Sequence, residues 1–152
     1  MIVYRIAKGD WIHDLTGEGA RRYGGRWSPK GVPLIYTAEN RSLAVLNLLL
    51  QLPAPLLPED WRIATLEVPD DGIASLNDPH HALPAGTPPP GRSWQAIGHA
   101  WLRSERSLAL RVPSEVGKEE AHILINPRHP QASRVRLVDV GPVAWNAGLI
   151  SG

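Results

Sequence analysis

Apolar residues in this chain fall mostly into short runs of strand length, and only two stretches carry a helical period. No other feature constrains the fold as much, because a period of two and a period of 3.6 bury different faces. Ile2, Tyr4 and Ile6 alternate with Val3 and Arg5 and predict a first strand. Further strands are expected at Pro33–Ala38, Trp61–Val68, Ser107–Val112, Ala121–Ile125 and Arg134–Val140, with Ala64, Leu66 and Val68 on one face. The first helix is capped by Asn40 or Ser42 and runs to about Gln51, where Pro53 and Pro55 end it. The second starts at Ser93, with Trp94, Ile97, Trp101 and Leu102 at i, i+3, i+7 and i+8.

The glycine- and arginine-rich segment Thr16–Lys30 reads as a loop, and residues 69–92 form the longest irregular stretch. The resulting order is β, loop, β, α, β, long loop, α, β, β, β. It predicts a mixed α+β domain rather than a doubly wound parallel sheet. A length of 152 residues without an internal repeat or linker reads as a single domain, residues 1–152.

Composition excludes several classes. With 43% hydrophobic residues the chain can bury a core, so disorder is not expected. Sixteen Lys and Arg against fifteen Asp and Glu give a net charge of +1, which is not the footprint of a direct nucleic-acid binder. The absence of cysteine removes disulfides, thiolate metal sites and a cysteine nucleophile. Arg5 and Lys8 interrupt any secretory signal, and the apolar run Leu43–Leu52 is far short of the roughly 20 residues of a membrane span. The expectation is a soluble, cytoplasmic protein with no membrane association.

Four segments carry groups suited to ligand chemistry. In Gly24-Gly25-Arg26-Trp27, the glycines permit a tight turn, and the arginine offers a planar fork of donors to a phosphate or carboxylate. The same residues also suit a simple turn with Trp27 in the core. The lysine-serine/threonine ending of a triphosphate-binding loop is missing. Asn47 is nearly the sole polar residue of LAVLNLLLQL, either a ligand contact or a boundary residue beside Gln51. Val112-Pro113-Ser114 ends a strand with a hydroxyl that binds a ligand or starts a turn. No GxSxG elbow accompanies it. In Ile125-Asn126-Pro127-Arg128-His129-Pro130, two prolines stiffen a strand exit, and Asn126 can satisfy loop backbone groups. His80-His81 lack the spacing and carboxylates of a metal site, so none is expected.

In this order, and with the YRI at Tyr4–Ile6 and the LIYTA strand that contains Tyr36, these segments resemble the RES domain, from about residue 2 to residue 140. The resemblance implies an ADP-ribosyltransferase-like fold, with two small, mainly antiparallel sheets around an NAD cleft. It implies a toxin of a toxin–antitoxin system that cleaves NAD, as substrate, at the nicotinamide–ribose bond. The residues implied at the site are Arg26 for a phosphate or ribose, Tyr36 against the nicotinamide ring, position 47, and Ser114. Trp27 and Asn126 join Arg26, Tyr36 and Ser114 as implied NAD contacts. The implied partner is a helix-turn-helix (Xre-type) antitoxin that covers the cleft and supplies any DNA contact. Six tryptophans offer surface for self-association, so a homodimer within that complex is also an expectation.

The departure is at position 47, where such proteins read approximately SLAxLE and this chain reads Ser42-Leu43-Ala44-Val45-Leu46-Asn47. Breaking the glycosidic bond develops positive charge on the ribose, which a nearby carboxylate stabilises more in the transition state than in the ground state. Asparagine is neutral and one methylene shorter. Glu39 is the nearest candidate substitute, and Glu119 and Glu120 also stand before a late strand. Three functions follow: an NAD-cleaving toxin with weakened activity, a catalytically silent NAD- and antitoxin-binding protein, or an ADP-ribosyltransferase acting on a protein. For the last, residues 69–92 are the expected second-substrate surface.

Overall fold

A computed structural model describes residues 1–51, 60–76, 93–114 and 119–143. Among them are seven strands: β1 (Ile2–Lys8), β2 (Ile35–Ala38), β3 (Trp61–Glu67), β4 (Ile73–Ser75), β5 (Ala109–Pro113), β6 (Ala121–Ile125) and β7 (Arg136–Pro142). Three helices accompany them: α1 (Glu18–Tyr23), α2 (Arg41–Gln51) and α3 (Trp94–Ser104). The strands lie in the order β4-β5-β6-β2-β1-β3-β7, and only β4 runs parallel to its neighbour.

This is the mixed, mainly antiparallel α+β architecture predicted, with one refinement. The two sheets are blocks of a single hydrogen-bonded order, β4-β5-β6-β2 and β1-β3-β7. The only Cα register pair between them is Tyr4↔Ala38, whereas β1 and β3 pair over their full seven residues, from Ile2↔Glu67 to Lys8↔Trp61. All four residues of β2 pair with β6, whereas only Ala38, at its C-terminal end, pairs with β1. Beyond the single pair β1 and β2 diverge, and that divergence opens the cavity described below.

Both sheet faces are covered. On one, Val3, Ile35, Ala64, Leu66, Val68, Ile123 and Ile125 form the largest core cluster. On the other, α3 lays Ile97, Trp101 and Leu102 over Leu110, Val112 and Leu124, while α2 places Leu43 and Ala44 on Ala38, Tyr4 and Ile6. Burying each such large side chain stabilises the fold by about 1.5–3 kcal/mol. Every residue of β6 (AHILI) is buried because it is central and covered on both faces.

Local signals account for the helix starts. The Asn40 side chain accepts a hydrogen bond from the Leu43 N–H at 2.7 Å, and the Ser93 hydroxyl accepts from the Ala96 N–H at 3.0 Å. Two expectations are corrected. Ile2 is 40% exposed while Val3 is fully buried, so the apolar face of β1 is inverted at its start. The expected loop Thr16–Lys30 contains α1, a six-residue helix. Flanking glycines conceal it in the sequence; bonds from Arg21 and Arg22 to Glu18 hold it in the fold. The long irregular stretch begins with a 3-10 turn at Asp70–Gly72 and with β4. His80, His81 and the rest of 77–92 lie outside the described residues.

Candidate functional site

The site begins as a tight hairpin. Gly25 and Ser28 exchange backbone hydrogen bonds, Gly25 N–H to Ser28 O at 2.9 Å and Ser28 N–H to Gly25 O at 3.4 Å. Arg26 and Trp27 therefore occupy the tip and separate in role. The Trp27 side chain is 2% exposed and packs in the core, 4.8 Å from Trp94 between ring centroids. Arg26 is exposed and lines the cavity.

Tyr36 fixes the hairpin from below. Its hydroxyl accepts from the Trp27 N–H at 3.0 Å and lies 2.9 Å from Ser28 Oγ. Burial raises the Tyr36 pKa above its ordinary value, against the pull of the hydrogen bonds from Ser28 and Trp27. The phenol therefore acts as a neutral anchor. Position 25 must be glycine, because a Cβ there would lie 2.5 Å from the Tyr36 hydroxyl. From outside, Gln95 of α3 donates through Nε2 to the carbonyls of Gly25 at 2.9 Å and Ser28 at 3.3 Å.

Between this hairpin, α1, α2 and the diverging strands lies a cavity of about 640 Å³. Tyr4, Ile6 and Lys8 of β1 face it on one side; Tyr36 and Ala38 of β2 and His122 of β6 lie on the other. Ala44, Asn47 and Leu48 of α2 close one wall. Arg5, Lys8, Arg22 and Arg26 line the cavity, and no aspartate or glutamate does among the described residues. Such a lining favours an anionic ligand, since a low-dielectric wall strengthens the field of each cation. Arg22 stacks 5.0 Å from the Trp11 ring and Lys8 lies 5.6 Å from the Trp61 ring, so the basic groups near the strand ends rest on aromatic faces. Arg5 is more enclosed. Its Nη1 donates to the Trp11 and Ile12 carbonyls at 3.1 and 2.8 Å, and desolvation lowers its pKa against the opposing charge of Asp14.

Of the residues singled out in the sequence, Arg26, Trp27, Tyr36 and Asn47 come together around this cavity. Ser114 and Asn126 do not line it. Ser114 follows β5, and its N–H donates to the Glu120 carbonyl at 2.9 Å. Asn126 is 3% exposed and joins loop to helix. Its Nδ2 donates to the Leu102 carbonyl at 3.3 Å, and its Oδ1 accepts from the Arg128 N–H at 3.0 Å. The nearby carboxylates do not substitute at position 47. Glu39 accepts from Arg111 Nη1 at 2.7 Å and from the Ala121 N–H at 2.9 Å, and Glu119 and Glu120 are exposed. The sequence reading missed Lys8, Trp11, Arg22, Trp61 and His122. They reach the cavity only through strand register and the α1 turn, which no local pattern signals.

The family model described as the RES domain matches residues 2–146. The chain belongs to the RES-domain family. It is 39% identical over 129 residues to the "Prs ADP-ribosylating toxin" of Sphingobium sp. (strain YBL2), covering 81% of this chain and 78% of that protein. It is 35% identical over 146 residues to "Toxin Res" of Yersinia enterocolitica, covering 95% of each. The "NAD(+) phosphorylase MbcT" of Mycobacterium tuberculosis H37Rv is 30% identical over 145 residues, covering 86% of this chain and 78% of MbcT. A chain of the solved M. tuberculosis MbcT–MbcA toxin–antitoxin complex superposes with a TM-score of 0.72 at 24% identity, covering 94% of this chain and 84% of that one. The RES fold is therefore common to both. Among the described residues no helix is long and apolar enough to cross a membrane, and no group of three or more histidine or acidic side chains is placed to hold a metal.

Proposed function

We propose that this RES protein is the toxin of a toxin–antitoxin pair and that it binds NAD in the cavity and breaks its nicotinamide–ribose bond. One observation carries the reading: Arg26, Tyr36 and Asn47, distant in the chain, line one basic cavity to which no described residue adds a carboxylate. NAD suits it. The diphosphate meets Arg26 and its cationic neighbours, the nicotinamide lies against the Tyr36 ring, and Asn47 faces a ribose hydroxyl. Trp27 and Asn126 support from the core, Trp27 by anchoring the hairpin and Asn126 by joining α3 to the exit of β6. Ser114 lies outside the cavity lining.

The relatives support the substrate class and leave the acceptor open. MbcT is named an NAD(+) phosphorylase, whereas the Sphingobium relative is named an ADP-ribosylating toxin. Attack at the same ribose carbon by water, phosphate or a protein side chain covers all three outcomes. The neutral side chain of Asn47, with no carboxylate among the described lining residues, favours slow turnover and makes a silent NAD-binding role the second reading. The partner is an antitoxin, as MbcT has in the MbcT–MbcA complex. By family resemblance it is of the helix-turn-helix (Xre) type and covers the cavity mouth. A toxin homodimer draws less support from tryptophans. Trp27 and Trp101 are buried, Trp94 packs on Trp27, and Trp11 and Trp61 line the cavity.

The test combines calorimetry and product analysis. NAD is expected to bind, and Arg26→Ala to weaken binding about 10- to 100-fold, the worth of a charge-assisted hydrogen bond of roughly 1.5–3 kcal/mol. Nicotinamide release by the parent is slow, and by Asn47→Glu faster. If neither protein releases nicotinamide, the catalytic reading fails; if neither binds NAD, the silent reading fails too.

A further inference from the structure

His122 lines the cavity, and the reading above leaves its imidazole unused. It sits in β6, paired with Ala38 of β2 and with Val112 of β5, and is 8% exposed. Its Nδ1 lies 3.2 Å from the Thr37 carbonyl oxygen. A carbonyl can only accept, so Nδ1 carries the hydrogen in the neutral ring and Nε2 bears the lone pair. Thr37 is itself held in place, its hydroxyl donating to the Ile123 carbonyl at 2.7 Å. Nε2 has no protein partner among the described residues. No buried side-chain nitrogen or oxygen among them lacks a partner, so Nε2 keeps contact with the cavity that His122 lines.

The charged neighbours leave that lone pair available. Beside it, Glu39, which directly follows β2, and Arg111 of β5 pair with each other at 2.7 Å, and Tyr36 is committed to the hairpin. Across the cavity stand Tyr4, Arg5 and Lys8 of β1, with Arg22 and Arg26 beyond them. On α2, Arg41 lies 5.0 Å from the Tyr4 ring, and Asn47 is uncharged. No carboxylate among the described lining residues competes for a proton.

We propose that His122 Nε2 is the proton acceptor of the site, taking the proton of the attacking water. The inference rests on the NAD-cleaving reading and adds to it a base of fixed tautomer. Water attacks the anomeric carbon of the nicotinamide-bearing ribose, and the carbon–nitrogen bond breaks. Its electron pair returns to the pyridinium nitrogen, giving neutral nicotinamide. The water's proton passes to Nε2 and then to solvent, leaving ADP-ribose. Asn47 cannot accept that proton, because a neutral amide is not a base near neutral pH.

Nitrogen-15 NMR of histidine-labelled protein tests this without turnover, using ADP-ribose as the probe. The expected result is an Nδ1–H tautomer for His122, with an Nε2 resonance that shifts when ADP-ribose binds. An Nε2–H tautomer overturns the proposal, as does an unmoved resonance when calorimetry shows ADP-ribose bound. Kinetics in the Asn47→Glu background supply the second readout. There His122→Gln is expected to slow nicotinamide release about 10²-fold, to leave ADP-ribose affinity within threefold, and to remove the acid limb of the pH–rate profile. An unchanged rate and profile refute the role of His122 and leave the NAD reading standing. Absence of ADP-ribose and NAD binding to the parent removes both.

Discussion

Asn47→Glu replaces a neutral amide by a carboxylate on a helix wall that faces Arg22, Arg26 and Lys8 across a cavity with no described acid. No described lining residue of the parent offers an anion to the cationic, oxocarbenium-like transition state, so the introduced charge has a large effect. Unit charges roughly 4–6 Å apart at an effective dielectric of about 20 attract by about 3–4 kcal/mol. Most of that attraction appears only as the ribose becomes cationic, which corresponds to about 10²–10³ in rate. Losing one preorganised electrostatic group in other enzymes costs a similar factor. Stability changes little, because Asn47 is half-buried and glutamate forms helix at least as well as asparagine. The assay is chromatographic release of nicotinamide at saturating NAD, with calorimetry and thermal melting in parallel. A folded variant that binds NAD like the parent and turns over within threefold of it would refute the argument.

Three further outcomes follow from contacts in the fold. Gly98→Ala would place a Cβ against the Trp27 carbonyl oxygen, where backbone cannot yield. A loss of about 1–3 kcal/mol or more is expected in denaturant unfolding, with weaker NAD binding as the Arg26 hairpin is displaced; an unchanged midpoint would contradict the packing of α3 on that hairpin. Asn126→Ala removes the hydrogen bonds to Leu102 and Arg128 and is expected to cost about 1–3 kcal/mol while leaving NAD affinity unchanged. Lost affinity with an unchanged melting temperature would instead make Asn126 a ligand contact. Glu18, bonded to Arg21 and Arg22, has its carboxyl pKa lowered to about 2. The folded value lies below the unfolded one, so its support of α1 is full above about pH 4.5 and fades as pH falls toward 2. Carboxyl NMR checks the midpoint, and an ordinary value near 4 would dissolve the arginine clamp.

Much of the architecture was legible in the residues because its causes are local. Alternation located β3, β6 and β7 within a few residues, the Ser93 cap opened α3, and Asn40 opened α2. Arg26, Tyr36 and Asn47 were legible as candidate site residues only through family resemblance, since none has chemistry that distinguishes it from a turn or boundary residue. Helix α1 was hidden because glycines mask a six-residue helix held largely by Glu18.

Period and capping thus determined that this chain forms a mixed α+β domain with Asn47 on the first long helix. Tertiary structure alone decided that β1 and β2 share a single Cα register pair and then part. From that junction come the cavity, its basic lining, and the place of His122 on its floor. The physical reason is that strand register brings together residues far apart in the chain, and no local window of sequence contains both partners. Position 47 is the plainest case. Its identity as asparagine is read directly from the chain, but that Glu39 does not replace it required knowing that Glu39 is held by Arg111.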